Sequence, residues 1–248
     1  MRLILHQLRW DQLVFWRNRE SAVFVFLFPI LLFLLLSTVY DGDYRGRPST
    51  DYLTVALVAY GVANTAFGGL AIILVIRREL GLLKRVLSTP LPAALYLASV
   101  VGSLLLVFAA QAVVILTLGK TLYDANLPSD LASLLLAYAL AAFCFAGMGV
   151  GAAALIRSAD GASAVVNVVV LPMTFLSGGF GPTRDFPEFL NAIADVLPLT
   201  YLIDIVVGIV YEGKAIWDDP TAVAVLAAWG IAGILVAVWR FDWQPRER

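Results

Sequence analysis

Few side chains in this sequence could act as reagents. His6 is the single histidine and Cys144 the single cysteine, so no His/Cys metal site can be assembled, and nothing supports a Ser–His catalytic pair inside the apolar runs. A lone cysteine forms no intrachain disulfide and leaves the redox compartment unread. No Gly-x-x-x-x-Gly-Lys-Ser/Thr phosphate loop occurs, so ATP is not bound by that route and any power stroke must come from a partner. The amide and acidic side chains inside apolar runs are Asn64, Gln111, Asn167 and Asp204. An ionisable group at membrane depth is costly and marks a functional candidate; the competing reading of Asp204 is an acid solvated at the outer interface. The three amides either line a pathway or bond across helices.

The densest polar chemistry lies in Arg77-Arg78-Glu79-Leu80-Gly81-Leu82-Leu83-Lys84-Arg85-Val86-Leu87-Ser88-Thr89-Pro90-Leu91-Pro92. This charged island separates two long apolar runs. Its four basic residues mark it as cytoplasmic, and Pro90 and Pro92 fix the end of a short helix expected over Glu79–Thr89. A fixed, water-facing helix between membrane spans suits docking of a soluble partner; the plainer reading is a loop whose charges only set topology.

The elements that must position these residues are membrane helices. The chain has 248 residues, 61% hydrophobic and 14% charged, with mean hydropathy +0.88, which excludes an ordinary soluble domain. Uncharged runs near the roughly 20 residues needed to cross a bilayer occur at Ser21–Tyr40, Tyr52–Ile76, Val86–Gly119, Leu131–Ile156, Gly161–Thr183 and Pro220–Trp239. A seventh, Val196–Tyr211, is shorter and holds Asp204. No cleavable signal is expected, because Arg9, Asp11 and Arg17 interrupt the N-terminal apolar residues. Residues 1–20 mix charge with Trp10 and Trp16 and predict a helix on the cytoplasmic face, although its apolar positions do not form one clean stripe. With six spans and both ends inside, 12 of the 17 basic residues fall on the inner side, as the positive-inside rule requires. Net charge is −1, which argues neither for nor against a nucleic-acid partner; none is expected.

Between the fifth run and the last span, Phe186, Leu190, Ile193 and Leu197 fall on one helical face and Glu188, Asn191 and Asp195 on the other. Pro198 breaks that helix, and residues 184–211 are expected to form a re-entrant pair dipping into the outer leaflet. Pro172 lies mid-span in the fifth run, and Ser177, Gly178, Gly179, Gly181 and Pro182 loosen its outer end, a pattern of either an external gate or a static kink. Gly147 and Gly151 have the spacing that lets helices approach closely, within the chain or at a dimer face. No inserted soluble domain and no internal repeat is visible, which counts against a receptor and against an inverted-repeat secondary transporter.

From Arg78 to Leu91 the pattern Arg-Glu-x-Gly-x-x-x-x-x-Leu-x-Thr-Pro-Leu resembles the first cytoplasmic loop of ABC-2 type permeases, the membrane subunits of one class of bacterial ABC exporter. Pro172-Met173-Thr174-Phe175-Leu176-Ser177-Gly178-Gly179, then Phe186-Pro187, then Leu197-Pro198-Leu199-Thr200-Tyr201 are similar to that family's fifth helix and the external helices after it. The resemblance covers nearly the whole chain and implies a single all-α membrane domain over 1–248. That domain would have six transmembrane helices, an N-terminal interfacial helix over 1–20, a coupling helix in the 77–92 loop and re-entrant external helices over 184–211. It implies a non-catalytic permease with N and C termini cytoplasmic in a prokaryotic inner membrane. Two ATP-binding subunits, carrying the ATP and Mg, would dock on Arg78, Glu79, Gly81, Lys84, Arg85, Thr89 and Pro90, beside a second copy or a homologous permease. Asn64, Gln111, Asn167, Pro172, Phe175, Ser177 and Phe180 become candidates for gate and pathway. Two departures stand out: Leu82 follows Gly81 where many members are polar, and Asp218 and Asp219 crowd the last external segment. Small loops and an apolar interior favour efflux of a drug or lipid; polysaccharide or ion export, a partner-free secondary transporter and a lipid head-group enzyme are the alternatives.

Overall fold

The computed structural model describes residues 2–40, 42–44, 47–89, 91–125, 130–181, 183 and 186–243. Among them the chain is almost wholly helical, and six helices are long and apolar enough to cross a membrane. A first helix, α1 (Arg2–Arg17), precedes the first of these, α2 (Arg19–Val39). The second is one continuous helix over Ser49–Glu79. It is built from α3 (Ser49–Val62), a π-helical stretch at Ala63–Gly69 and α4 (Leu70–Glu79). A short helix, α5 (Leu82–Leu87), leads into the third long helix, α6 (Ala93–Tyr123). Then come α7 (Leu131–Leu155), α8 (Ala159–Leu176), the bent pair α9 (Glu188–Ala194) and α10 (Pro198–Val207), and finally α11 (Pro220–Arg240). Two-residue strands, β1 (Asp43–Tyr44) and β2 (Arg47–Pro48), pair antiparallel ahead of α3.

The uncharged runs mark the helices well, and punctuation explains the differences. The third run begins at Val86, but its helix starts at Ala93 because Pro92 stands at the N-cap with extended backbone. The fifth run continues to Thr183, yet α8 stops at Leu176, where Gly178 takes φ +80°. The helix expected over Glu79–Thr89 is divided in two: α4 runs to Glu79, Gly81 sits at φ 69°, and only Leu82–Leu87 is helical beyond it. A left-handed residue ends a right-handed helix, and glycine takes that conformation without a Cβ penalty.

The Ser49–Glu79 helix is the axis of the bundle. From Asp51 to Val62 every side chain of α3 is buried, so the segment has no polar face to turn outward, and helices α2, α6, α7 and α10 pack around it. Against it, α7 and α11 approach closely enough to touch through backbone. A Cβ on Gly151 would lie 2.7 Å from Gly233 O, and one on Gly147 would collide with Gly230 O. The Gly147/Gly151 spacing therefore serves packing within the chain, against the glycines of α11.

Both ends of the described chain lie at one end of the bundle. Trp243 packs against Tyr96 at the start of α6, with ring centroids 6.5 Å apart, and Asp11 of α1 pairs with Arg77 beside the same tyrosine. That end also carries α5 and the α7–α8 turn, while the β1–β2 hairpin and the α9–α10 pair lie at the other.

Candidate functional site

The charged island is built on three consecutive residues at the end of α4, each fastened to a different neighbour. Arg77 donates from Nη2 to Asp11 Oδ1 at 2.6 Å and from Nη1 to the Tyr96 hydroxyl at 2.9 Å. Both members of the ion pair are nearly buried, at 12% and 7% exposure, so α1 and α6 are tied to α4 by a bond that water screens weakly. Arg78 is 2% exposed. Its guanidinium donates to Ala153 O at 2.8 Å and Ile156 O at 2.5 Å, carbonyls at the end of α7 that the helix itself cannot satisfy. Glu79 accepts the Ala159 N–H at 2.7 Å, at the first turn of α8. A cation at a helix C-terminus and an anion at a helix N-terminus are the favourable pairings with the helix dipoles.

Beyond this base the chain turns at Gly81, whose N–H is held by Arg78 O at 2.9 Å. Helix α5 is anchored by Leu83, fully buried, with Val86 half-buried. Leu82, Lys84, Arg85, Leu87, Ser88 and Thr89 are exposed around that anchor. Ser88 and Thr89 donate from their hydroxyls to Arg85 O and Val86 O, closing the helix C-terminus. The docking residues read from the sequence therefore separate into an outward group, Lys84, Arg85 and Thr89, a turn at Gly81, and a pair that grips the α7–α8 turn, with Arg78 buried and Glu79 exposed at its edge. Pro90 lies outside the described residues.

The gate and pathway candidates also divide. Asn167, Pro172 and Phe175 lie on the exposed side of α8 with Val165, Val168 and Leu171, while Val166, Val170, Met173 and Thr174 are buried. Asn64 is half-buried in the π-helical stretch, with its Oδ1 near Gly68, where a Cβ would sit 3.6 Å from that oxygen and 2.9 Å from Val166 Cγ1 of α8. Gln111 lies elsewhere: it is buried, donates to Val25 O at 3.2 Å and faces Gly61, so it joins α6 to α2 and α3. Ser177 and Phe180 are buried at the C-terminal end of α8. The glycines there do not leave that end loose. The Tyr52 hydroxyl donates to Gly178 O at 2.7 Å, Thr200 Oγ1 lies 2.9 Å from Ser177 Oγ and 2.7 Å from Ala194 O, and Phe180 packs edge-on against Phe175 and at a tilt against Tyr60.

Asp204 is exposed on α10 and lines two cavities, one of about 250 Å³ with Tyr44, Tyr52, Ser177, Asn191 and Thr200. Asp218 and Asp219 act locally, accepting the N–H groups of Ala215 and Ala222 at the start of α11. The α9–α10 pair is bent by 87° and is tied to α11 by Trp229, whose indole N–H donates to Val196 O at 3.0 Å.

Sequence reading missed Asp11, Tyr96 and Tyr52, and it missed the inward turn of Arg78. Asp11 carried a signal, since it is the single acid between Arg2 and Arg19 and sits among four arginines. The partners of Arg78 carried none, because they are backbone carbonyls.

Six helices long and apolar enough to cross a membrane among the described residues, a short exposed helix bonded at its base, and a bent helical pair before the last long helix define the class: a multi-pass membrane domain. The ABC-2 type transporter family model matches residues 3–211, and the chain belongs to that family. It is 24% identical over 172 residues to the inner membrane transport permease YhhJ of Escherichia coli (strain K12) and to the same-named protein of Shigella flexneri. The match covers 68% of this chain and 45% of either relative, so the chain spans less than half the length of these relatives.

Proposed function

We propose that this chain is the membrane subunit of an ATP-driven exporter of a prokaryotic inner membrane, with both termini cytoplasmic. It pairs with a second copy or a homologous permease, and two separate ATP-binding subunits, holding ATP and Mg, dock below it. The observation that carries this reading is α5. A six-residue helix with one fully buried anchor, Leu83, presents Leu82, Lys84, Arg85 and Leu87 to solvent, beside an end of α4 that is bonded to four other elements. Exposed leucines interleaved with basic side chains suit a protein partner with an apolar groove and an acidic rim, and a fixed base suits the transmission of force. Closure of the ATP-binding subunits pushes α5 and shifts the equilibrium toward an outward-open pathway.

Export of a drug or lipid is the substrate reading. What supports it is the face of α8, where Val165, Val168, Leu171 and Phe175 are exposed around Asn167, an apolar wall with a single amide. Helix α1, with Leu3, Leu5, Trp10, Val14 and Trp16 exposed, lies at the cytoplasmic interface, and the α9–α10 pair is a re-entrant element of the outer leaflet.

The test is purification of the tagged chain from its host in mild detergent, with mass spectrometry of what accompanies it. A stoichiometric P-loop ATPase that is lost from Lys84→Glu/Arg85→Glu is the expected result. A solitary, stable chain refutes the exporter reading.

A further inference from the structure

The two halves of the charged island do different work. Lys84, Arg85 and Thr89 face solvent without gripping another helix, whereas Arg78 is 2% exposed and bonded to α7, and Glu79, although exposed, accepts a backbone N–H of α8. We propose that Arg78 and Glu79 are positioning residues, a two-residue clamp that locks the base of α5 to the α7–α8 turn so that displacement of α5 is delivered to α8. The proposal rests on the reading of α5 as the docking element.

The geometry makes an unbroken path. Gly81 N–H is held by Arg78 O at 2.9 Å, so the turn into α5 is bonded to the residue whose side chain grips α7. Next to it, Glu79 holds the first N–H of α8 at 2.7 Å. Helix α8 then runs through Pro172 to the outer end, where Gly178 O is held by Tyr52 and Ser177 meets Thr200. The order of charges matters. α7 ends at Leu155 and α8 begins at Ala159, so the turn between them presents free carbonyls and then free N–H groups. A cation followed directly by an anion matches that order. Charge-assisted bonds are directional, and a shift of the turn by about an ångström would stretch them past hydrogen-bonding length. Motion of α4's end therefore carries the turn with it.

The clamp can be released from its far side without touching Glu79. Ala159 is the first residue of α8, behind the N-cap Ser158, whose φ of −130° and ψ of 151° are those favoured before proline. Ala159→Pro removes the N–H that Glu79 accepts, and proline is well tolerated at a first helical position. The experiment uses the complex of this chain with its ATP-binding subunit in lipid nanodiscs. Nitroxide labels at Ser88 beside α5 and Val165 on α8, both exposed, report their distance with and without ATP and vanadate.

The expected result has three parts. The parent complex keeps one narrow Ser88–Val165 distance in both nucleotide states. Ala159→Pro and Glu79→Ala each retain the partner at full stoichiometry but lose that single distance in the trapped state, and the double variant is no worse than either single one. Glu79→Gln, which keeps a carbonyl acceptor, restores it. Loss of the ATP-binding subunit from Glu79→Ala, as from Lys84→Glu, overturns the proposal and makes Glu79 a docking contact. A narrow distance retained by Ala159→Pro in both states also overturns it. A parent chain that captures no ATP-binding subunit refutes the exporter reading itself, and the clamp's coupling role falls with it.

Discussion

The contact between α7 and α11 makes a prediction whose sign depends on structure alone. Replacing a helical glycine by alanine normally stabilises, by about 0.4–1 kcal/mol, because it restricts the unfolded chain. At Gly151 the structure demands the opposite. A Cβ there would lie 2.7 Å from Gly233 O and 3.1 Å from Gly233 Cα, whereas a carbon and a carbonyl oxygen settle at about 3.3–3.6 Å. The two helices must part by roughly 0.6 Å at this point to restore a C–O contact of ordinary length. Gly147 and Gly230, one turn away, lie in the same seam, so the separation cannot be absorbed by one flexible side chain. Overpacking of this kind costs about 1–3 kcal/mol, and lipid offers no compensating hydrophobic drive between helices. Gly69→Ala is the control: its Cβ meets Leu104 Cδ2 at 3.7 Å and Asn64 O at 3.9 Å, ordinary contacts. The assay is thermal unfolding of the purified variants in one detergent, with SDS titration as a second measure. Gly151→Ala should unfold at lower temperature than the parent and Gly69→Ala at the same or a higher one. A Gly151→Ala protein as stable as the parent would refute the backbone contact between α7 and α11.

Other outcomes follow from the same geometry. Asp11→Ala strands the nearly buried guanidinium of Arg77 and should cost about 3 kcal/mol, read as a fall in unfolding temperature; adding Arg77→Met should recover part of it by replacing the stranded charge with an apolar side chain. Tyr52→Phe removes the donor to Gly178 O at 2.7 Å, a loss of about 1 kcal/mol, and should speed hydrogen exchange of residues 177–181 while leaving α7 unaffected. Ser158→Ala deletes the cap on Gly161 N–H and should cost about 1 kcal/mol, with exchange rising in the first turn of α8.

Much of the fold is legible in the sequence because membrane helices announce themselves by length and lack of charge. The six uncharged runs sit on the six long helices, and Pro92, Pro198 and Pro220 mark three helix starts. The single continuous helix over Ser49–Glu79 is less legible. The run Tyr52–Ile76 marks it as one span, but no pattern in Asn64, Gly68 and Gly69 tells that the backbone there is π-helical, with small residues where α7 and α8 pack closely. The island was readable as a place but not in its parts. Periodicity cannot tell that Arg78 turns inward while Lys84 and Arg85 turn outward, because the break at Gly81 resets the helical phase between them. Nor can side-chain pattern reveal partners that are main-chain carbonyls and N–H groups, as at Ala153, Ile156, Ala159 and Gly178. Gln111 shows the same limit from the other side: a buried amide in a span reads equally as lining a pathway or as bonding across helices, and its bond to Val25 O is visible only in the structure.

The central claim is that α5 is the joint with an ATP-binding subunit, and a photo-crosslinker at Leu87 tests it most directly. Leu87 is half exposed, at 50%, at the end of α5. Irradiation of membranes carrying this variant should give one protein adduct whose partner contains a P-loop ATPase sequence, and a crosslinker at Trp217, exposed at the opposite end of the bundle, should not. Adducts to lipid alone at Leu87, or the ATPase adduct at Trp217 instead, would contradict the account.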